Sequence, residues 1–197
     1  MDLSTQVLSA RDFWDEELNQ WEPLPHQVPP GGLWDVWLLL GGRGSGKTMA
    51  GTHYVLDHLR QEGKKARVGI GAPTIADARD VCAEGVTGLI NLAPKDGGYV
   101  KFLGSEEPAR WNGPQWSLIW ADELALWNEA SWHQAQFGLR LGDHPKAIVT
   151  TTPKNRKFVR ILSELESTAT VRATTYDNPT LSNTVQIERA IWRNPDW

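Results

Sequence analysis

Short, almost wholly apolar runs alternate along the chain with stretches in which apolar residues recur every three or four positions. The first such run is WDVWLLL, Trp34 to Leu40, which ends in glycines. Its lack of alternation predicts a strand buried on both faces. Arg67–Ala72, Ser117–Ala121, Ala147–Thr152 and Val171–Thr175 read the same way, and Tyr99–Leu103 more weakly. Helical spacing predicts helices over Lys47–Glu62 with a stop at Gly63, Ile75–Glu84 with a stop at Gly85, Ala125–Gln136 and Asn155–Glu166. A last helix is expected over Thr184–Arg193, after the turn residues Asp177, Asn178 and Pro179. Near the start, Phe13, Trp14, Leu18 and Trp21 form the apolar stripe of an amphipathic helix over Arg11–Trp21. The following WEPLPHQVPPGG holds four prolines and two glycines and is an irregular connector. Strands alternating with helices predict a mainly parallel α/β sheet covered on both faces.

The first strand runs directly into Gly41-x-x-x-x-Gly46-Lys47-Thr48, and a helix follows. Strand, glycine-rich turn and helix in that order form a phosphate-binding P-loop. Gly41, Gly42, Gly44 and Gly46, with Arg43 and Ser45 between them, let successive N–H groups curl around a β-phosphate. Lys47 brings a point charge to the β- and γ-phosphates. The Thr48 hydroxyl can coordinate Mg²⁺, and the helix start points its positive end at the anion.

Ser117-Leu-Ile-Trp-Ala-Asp122-Glu123 is an apolar strand that ends in two carboxylates. Beside a phosphate loop, Asp122 can hold Mg²⁺ through its waters, and Glu123 can polarise the water that attacks the γ-phosphate. The competing reading is that the pair merely caps the next helix. Thr151 and Thr152, before Pro153, bring hydroxyls to the same sheet edge; they either sense the γ-phosphate or simply suit a strand end. Gln27 either reads the adenine edge, donating and accepting at once, or is an ordinary loop residue.

Composition removes several classes. The chain of 197 residues suits one α/β domain with a small appendage, and its single cysteine, Cys82, leaves no internal disulfide framework and fits a reducing cytosol. No apolar run approaches the length of a membrane span. A net charge of −4 argues against a protein that coats nucleic acid non-specifically, so any DNA contact comes from a local patch or an assembly. Eleven tryptophans are the one compositional excess.

Several stretches resemble the large terminase subunit of tailed bacteriophages, the DNA-packaging motor. They are GGRGSGKT (41–48), GAPTIADARDVCAEGVTGLI (71–90), NGPQWSLIWADELALW (112–127), FGLRLGDHPKAIVTTTPKN (137–155) and TTYDNPTLS (174–182). The resemblance implies a P-loop ATPase fold of the additional-strand, catalytic-glutamate type, with an ATPase core over 1–175 and a lid or linker over 176–197. It implies that Gln27 belongs to an adenine-recognition segment, that Asp122 and Glu123 hold Mg²⁺ and activate water, and that Thr151 and Thr152 couple hydrolysis to DNA movement. Arg43 matches an arginine that terminases carry inside the loop, where it can report on the γ-phosphate. Implied partners are ATP, Mg²⁺, double-stranded DNA, the procapsid portal and the small terminase subunit. The motor would form a homo-oligomeric ring in the host cytoplasm, with a monomer in isolation left open.

Two departures stand out. Relatives usually continue into a nuclease domain, so this chain is expected to be the ATPase portion and not to cut DNA. Many also read Arg-x-Arg-Gly-Pro where this chain has Arg110-Trp111-Asn112-Gly113-Pro114. Asn112 therefore removes one candidate for an arginine acting in a neighbour's site and leaves Arg110 and Arg140, each of which also suits a plain salt bridge. Two rival functions remain: a helicase-type ATPase, and a nucleotide-binding assembly module without catalysis. The lack of helicase motifs after Thr152 counts against the first, and intact Lys47, Thr48, Asp122 and Glu123 against the second.

Overall fold

A computed structural model describes residues 6–7, 21–91 and 98–180. The helices expected over 11–21 and 184–193, and most of the segment 176–197, lie outside the described residues. In chain order the elements are β1 (Gln6–Val7), β2 (Val36–Gly41), α1 (Lys47–Glu62), β3 (Arg67–Ala72), α2 (Ile75–Asp77), β4 (Tyr99–Gly104), β5 (Leu118–Asp122), α3 (Glu129–Gly138), β6 (Lys146–Thr151), α4 (Lys157–Glu164) and β7 (Thr168–Ala173).

The strands form one sheet in the order β1-β4-β3-β5-β6-β2-β7, parallel throughout except for β1. β6 lies between β2, which leads into the loop, and β5, which ends at Asp122. That inserted strand is the additional strand of the expected class. Register puts Thr150 of β6 between Leu39 of β2 and Asp122 of β5, so its hydroxyl can reach the carboxylate.

Alternate residues of each central strand feed two apolar layers, as strand geometry requires. Trp37, Leu39, Ile70, Trp120 and Ile148 pack with Val55, Leu56 and Leu59 of α1. Leu38, Ile119 and Val149 face the other way, against Trp132 and Ala135 of α3 and Phe158 and Leu162 of α4. The tryptophans fill the second layer as a chain of rings, Trp116 to Trp111 to Trp127 to Trp132, with centroids 5.2–6.5 Å apart. In the first layer the Trp120 indole lies against Gly51 of α1. A Cβ at Gly51 would stand 2.2 Å from that ring, so glycine is what lets α1 seat on β5.

Three elements depart from expectation. α3 begins at Glu129, not Ala125, because Leu124–Leu126 forms a tight 3₁₀ turn and the Asn128 side chain then caps Ala130 N at 3.0 Å. β7 begins at Thr168, three residues early. It is an edge strand with a half-buried pattern, and its pairing with β2 extends it past its apolar run. α2 passes at once into a π-helical turn, Ala78–Ala83, closed by Glu84 N to Arg79 O at 2.8 Å.

α1 also carries a pH-sensitive contact. His58 Nε2 shares a 2.8 Å hydrogen bond with Ser117 Oγ at the start of β5. Burial pushes this imidazole below its ordinary 6.5, against the nearby Glu62 charge, and burial lowers His53 too. Both are therefore held neutral in the fold. The stability they contribute is present above pH 6.5 and is lost as pH falls, because the unfolded chain binds protons more readily. Urea midpoints should drop between pH 7 and 5, and His58→Gln should flatten that slope; an unchanged slope would locate the acid sensitivity elsewhere.

Candidate active site

The site forms where β2, β5 and β6 end side by side. Leaving β2, the chain enters the loop at Gly41 and re-forms regular structure at Lys47. Gly46 takes φ +85°, a left-handed conformation that a side chain would strain, and a Cβ there would also stand 2.2 Å from Gln27 Nε2. Lys47 folds back over the loop, buried, with Nζ donating to Gly42 O at 3.2 Å and lying 3.7 Å from Glu123 Oε1. Ser45 Oγ is buried beneath the loop without a hydrogen-bond partner. Thr48 is the second residue of α1 and is half-buried.

Three consecutive threonines, two ending β6 and one just beyond it, organise the carboxylates. Thr150 Oγ1 donates to Asp122 Oδ1 at 2.6 Å and itself accepts from Trp120 Nε1 at 2.8 Å. Thr151 Oγ1 accepts from Ala125 N at 3.1 Å, pinning the turn after Glu123. Thr152 donates twice to Glu123, from its backbone N to Oε2 and from Oγ1 to Oε1, both at 3.0 Å. The sequence pattern points to Thr151 and Thr152 as hydroxyls at this edge; Thr150 does not stand out in it, because only the β5–β6 register reveals its partner.

Asp122 is almost completely buried. Burial pushes its carboxyl up to about 6; the Thr150 hydrogen bond opposes that shift and the Glu123 charge adds to it. Close to it the Cys82 thiol is pushed well up, chiefly by burial and then by the Asp122 charge. A buried carboxylate and a hydroxyl at a helix start are hard oxygen donors of the kind a divalent cation takes, so Thr48 and Asp122 fit Mg²⁺. Glu123 has φ +49°, the one positive value for a non-glycine among the described residues. Its side chain makes no capping hydrogen bond to the following turn and is directed instead to Lys47 and Thr152.

The Gln27 amide is engaged at both ends: Oε1 accepts from Leu24 N at 2.8 Å and Nε2 donates to Gly46 O at 3.0 Å. One N–H and one lone pair are left over. Arg43 projects from the loop with an exposed side chain. Arg110 lies in the turn Pro108–Trp111 after β4, 2.5 Å from Glu107, and Arg140 follows α3 with its backbone N–H on Trp116 O at 3.1 Å. Neither arginine belongs to the strand ends that form the site. Thr175 and Asn178, by contrast, do reach the loop, donating to Arg43 O and Gly44 O. In the sequence Asn178 reads as a turn residue, and Thr175 stands out only as part of a family pattern.

Solved structures similar in fold include the large terminase from a thermophilic bacteriophage in complex with ADP. It has a TM-score of 0.66 at 20% identity over 79% of this chain and 44% of that one. The same phage protein in complex with ATP-gamma-S gives 0.63 at 18%, over 79% and 43%. The ATPase domain of the Thermus phage P74-26 large terminase gives 0.66 at 17%, over 89% of this chain and 88% of that one. The chain thus spans less than half of the thermophilic phage's protein. Comparison with the curated proteins finds no match. Residues 38–196 match the family described as "Terminase large subunit, T4likevirus-type, N-terminal", and the chain belongs to that family.

Proposed function

We propose that this chain hydrolyses ATP with Mg²⁺ and that this drives double-stranded DNA into a procapsid. The observation that carries the proposal is the closed set formed by Lys47, Glu123 and Thr152, in which a P-loop lysine, a carboxylate and a hydroxyl from three separate strand ends converge. Kinship with terminases and their complexes with ADP and ATP-gamma-S supports the choice of nucleotide.

In this reading the loop N–H groups and Lys47 take the β- and γ-phosphates, and Arg43 reaches the γ-phosphate from the loop tip. Thr48 and Asp122 would hold Mg²⁺, which would supply neutralising charge to the phosphate oxygens. Glu123 orients and deprotonates the attacking water. Its carboxylate is tied to Thr152 and lies close to Lys47. A γ-phosphate that draws Lys47 away loosens that hold and readies the base. Thr151 and Thr152 then link the state of Glu123 to β6, which is the physical content of coupling. Gln27 reads the adenine edge with its spare donor and acceptor. The portal, the small terminase subunit and a ring of identical subunits in the host cytoplasm complete the proposed machine. Among the described residues no helix is long and apolar enough to cross a membrane.

Phosphate release by the chain, with and without DNA and portal, tests the activity. Lys47→Ala should weaken ATP binding about a hundredfold in an equilibrium titration, since it removes the buried charge facing the phosphates. Unaltered binding would place the nucleotide elsewhere. Strand separation without packaging would favour the helicase-type rival.

A further inference from the structure

A loop whose N–H groups converge on an anion turns its carbonyl groups outward, and each of these needs a donor of its own. Five successive carbonyls here have one. Gly42 O, at the start of the loop, faces into it and accepts from Lys47 Nζ and from Ser45 N, both at 3.2 Å. Arg43 O accepts from Thr175 Oγ1 at 2.7 Å, and Gly44 O from Asn178 Nδ2 at 2.7 Å. Ser45 O pairs with His26 Nε2 at 2.7 Å, and Gly46 O accepts from Gln27 Nε2 at 3.0 Å. One pair of donors precedes the loop; the other follows it by more than 130 residues.

The later pair is built for the task. Asn178 Oδ1 is occupied by Thr180 N at 3.0 Å and Thr180 Oγ1 at 2.7 Å, which turns the amide nitrogen towards Gly44. Asp177 Oδ2 accepts from Thr174 N at 2.6 Å and from Thr174 Oγ1 at 2.9 Å, fixing the turn that presents Thr175. The contact is close. A Cβ at Gly42 would stand 2.7 Å from Thr175 Oγ1 and 2.8 Å from Thr175 N, so the brace leaves room for glycine alone.

A trans peptide holds its C=O and the next N–H on opposite sides. Pinning Arg43 O outward therefore aims Gly44 N–H inward, whereas the N–H that follows Gly44 O, that of Ser45, donates to Gly42 O at 3.2 Å within the loop. We propose that Thr175 and Asn178 are positioning residues for the bound nucleotide: they hold the carbonyls of two loop peptides away from the phosphate, which leaves the Gly44 N–H turned towards it, and they bind the 174–180 segment to the occupancy of the loop. By linkage, phosphate in the loop must tighten that segment in return. The inference rests on the nucleotide reading of the site.

The test uses the 197-residue chain, with a fluorescent ATP analogue and Mg²⁺ as the probe. Thr175→Val and Asn178→Asp should each raise its Kd about tenfold, as expected for losing a donor that orders a ligand-binding peptide. Thr175→Ser should restore wild-type affinity, and melting temperatures should stay close to wild type because both residues are only half-buried. Amide exchange at residues 176–180 should slow on adding nucleotide to the wild type, but not to Thr175→Val. The proposal is overturned if the valine variant binds as tightly as wild type, or if the serine variant binds as weakly as valine. A wild-type chain that binds no ATP analogue would instead remove the nucleotide reading, and this inference with it.

Discussion

Glu123→Gln is expected to bind ATP and Mg²⁺ like the wild type and to hydrolyse ATP slower by a factor of about 10² or more. The two side chains have the same shape, so the left-handed backbone at residue 123 and the two Thr152 contacts are met by an isosteric group. Lys47 loses its 3.7 Å neighbour charge, yet its Gly42 contact and its phosphate role persist. What disappears is a group able to take a proton from water. Single-turnover phosphate release beside an equilibrium titration separates the two effects. Normal turnover would sink the mechanism, for Glu123 would then be only a turn residue.

Arg110→Ala is expected to leave ATP binding unchanged and to lower turnover in the assembled motor by about 10³. The reason is distance. Arg110 follows β4, and β4 is four strands from β2 in the sheet, which at ~4.8 Å per strand is roughly 19 Å from its own loop. On that strand count Arg110 is expected to serve a neighbouring subunit's γ-phosphate and not its own. Its 2.5 Å pairing with Glu107 holds it in the meantime. Mixed assemblies pairing Arg110→Ala with Glu123→Gln subunits provide the check. Action across the interface restores a site wherever one subunit's arginine meets the other's glutamate. If activity follows each subunit's own Arg110, the residue is structural and Arg140 becomes the candidate.

The central strands are legible in the sequence because a parallel strand covered on both faces has nowhere to hide a polar residue. Val36–Gly41, Arg67–Ala72 and Leu118–Asp122 accordingly stand out as apolar runs. α1 is legible to its ends because a P-loop opens it and Gly63 closes it. The β7 edge strand is not, since most of its residues are only partly buried and its start is set by pairing with β2. Among candidate site residues, those that a local pattern singles out are readable: Lys47, Thr48, Asp122 and Glu123. Those whose role depends on a distant partner are not. Thr150 needs β6 to lie beside Asp122, and Thr175 and Asn178 need the chain to return across the loop after β7. Gln27 suggests a base reader in the sequence, and only the fold shows it bracing Gly46.

The left-handed backbone at Glu123 places chemistry and durability in opposition. A residue with a Cβ at φ +49° sits about 1–2 kcal/mol above what glycine would need there, a sizeable share of a domain's net stability. Under selection for robustness alone, glycine or asparagine would drift into this position. Directed evolution for heat tolerance, scored without an activity screen, would therefore be drawn towards discarding the carboxylate proposed to activate water.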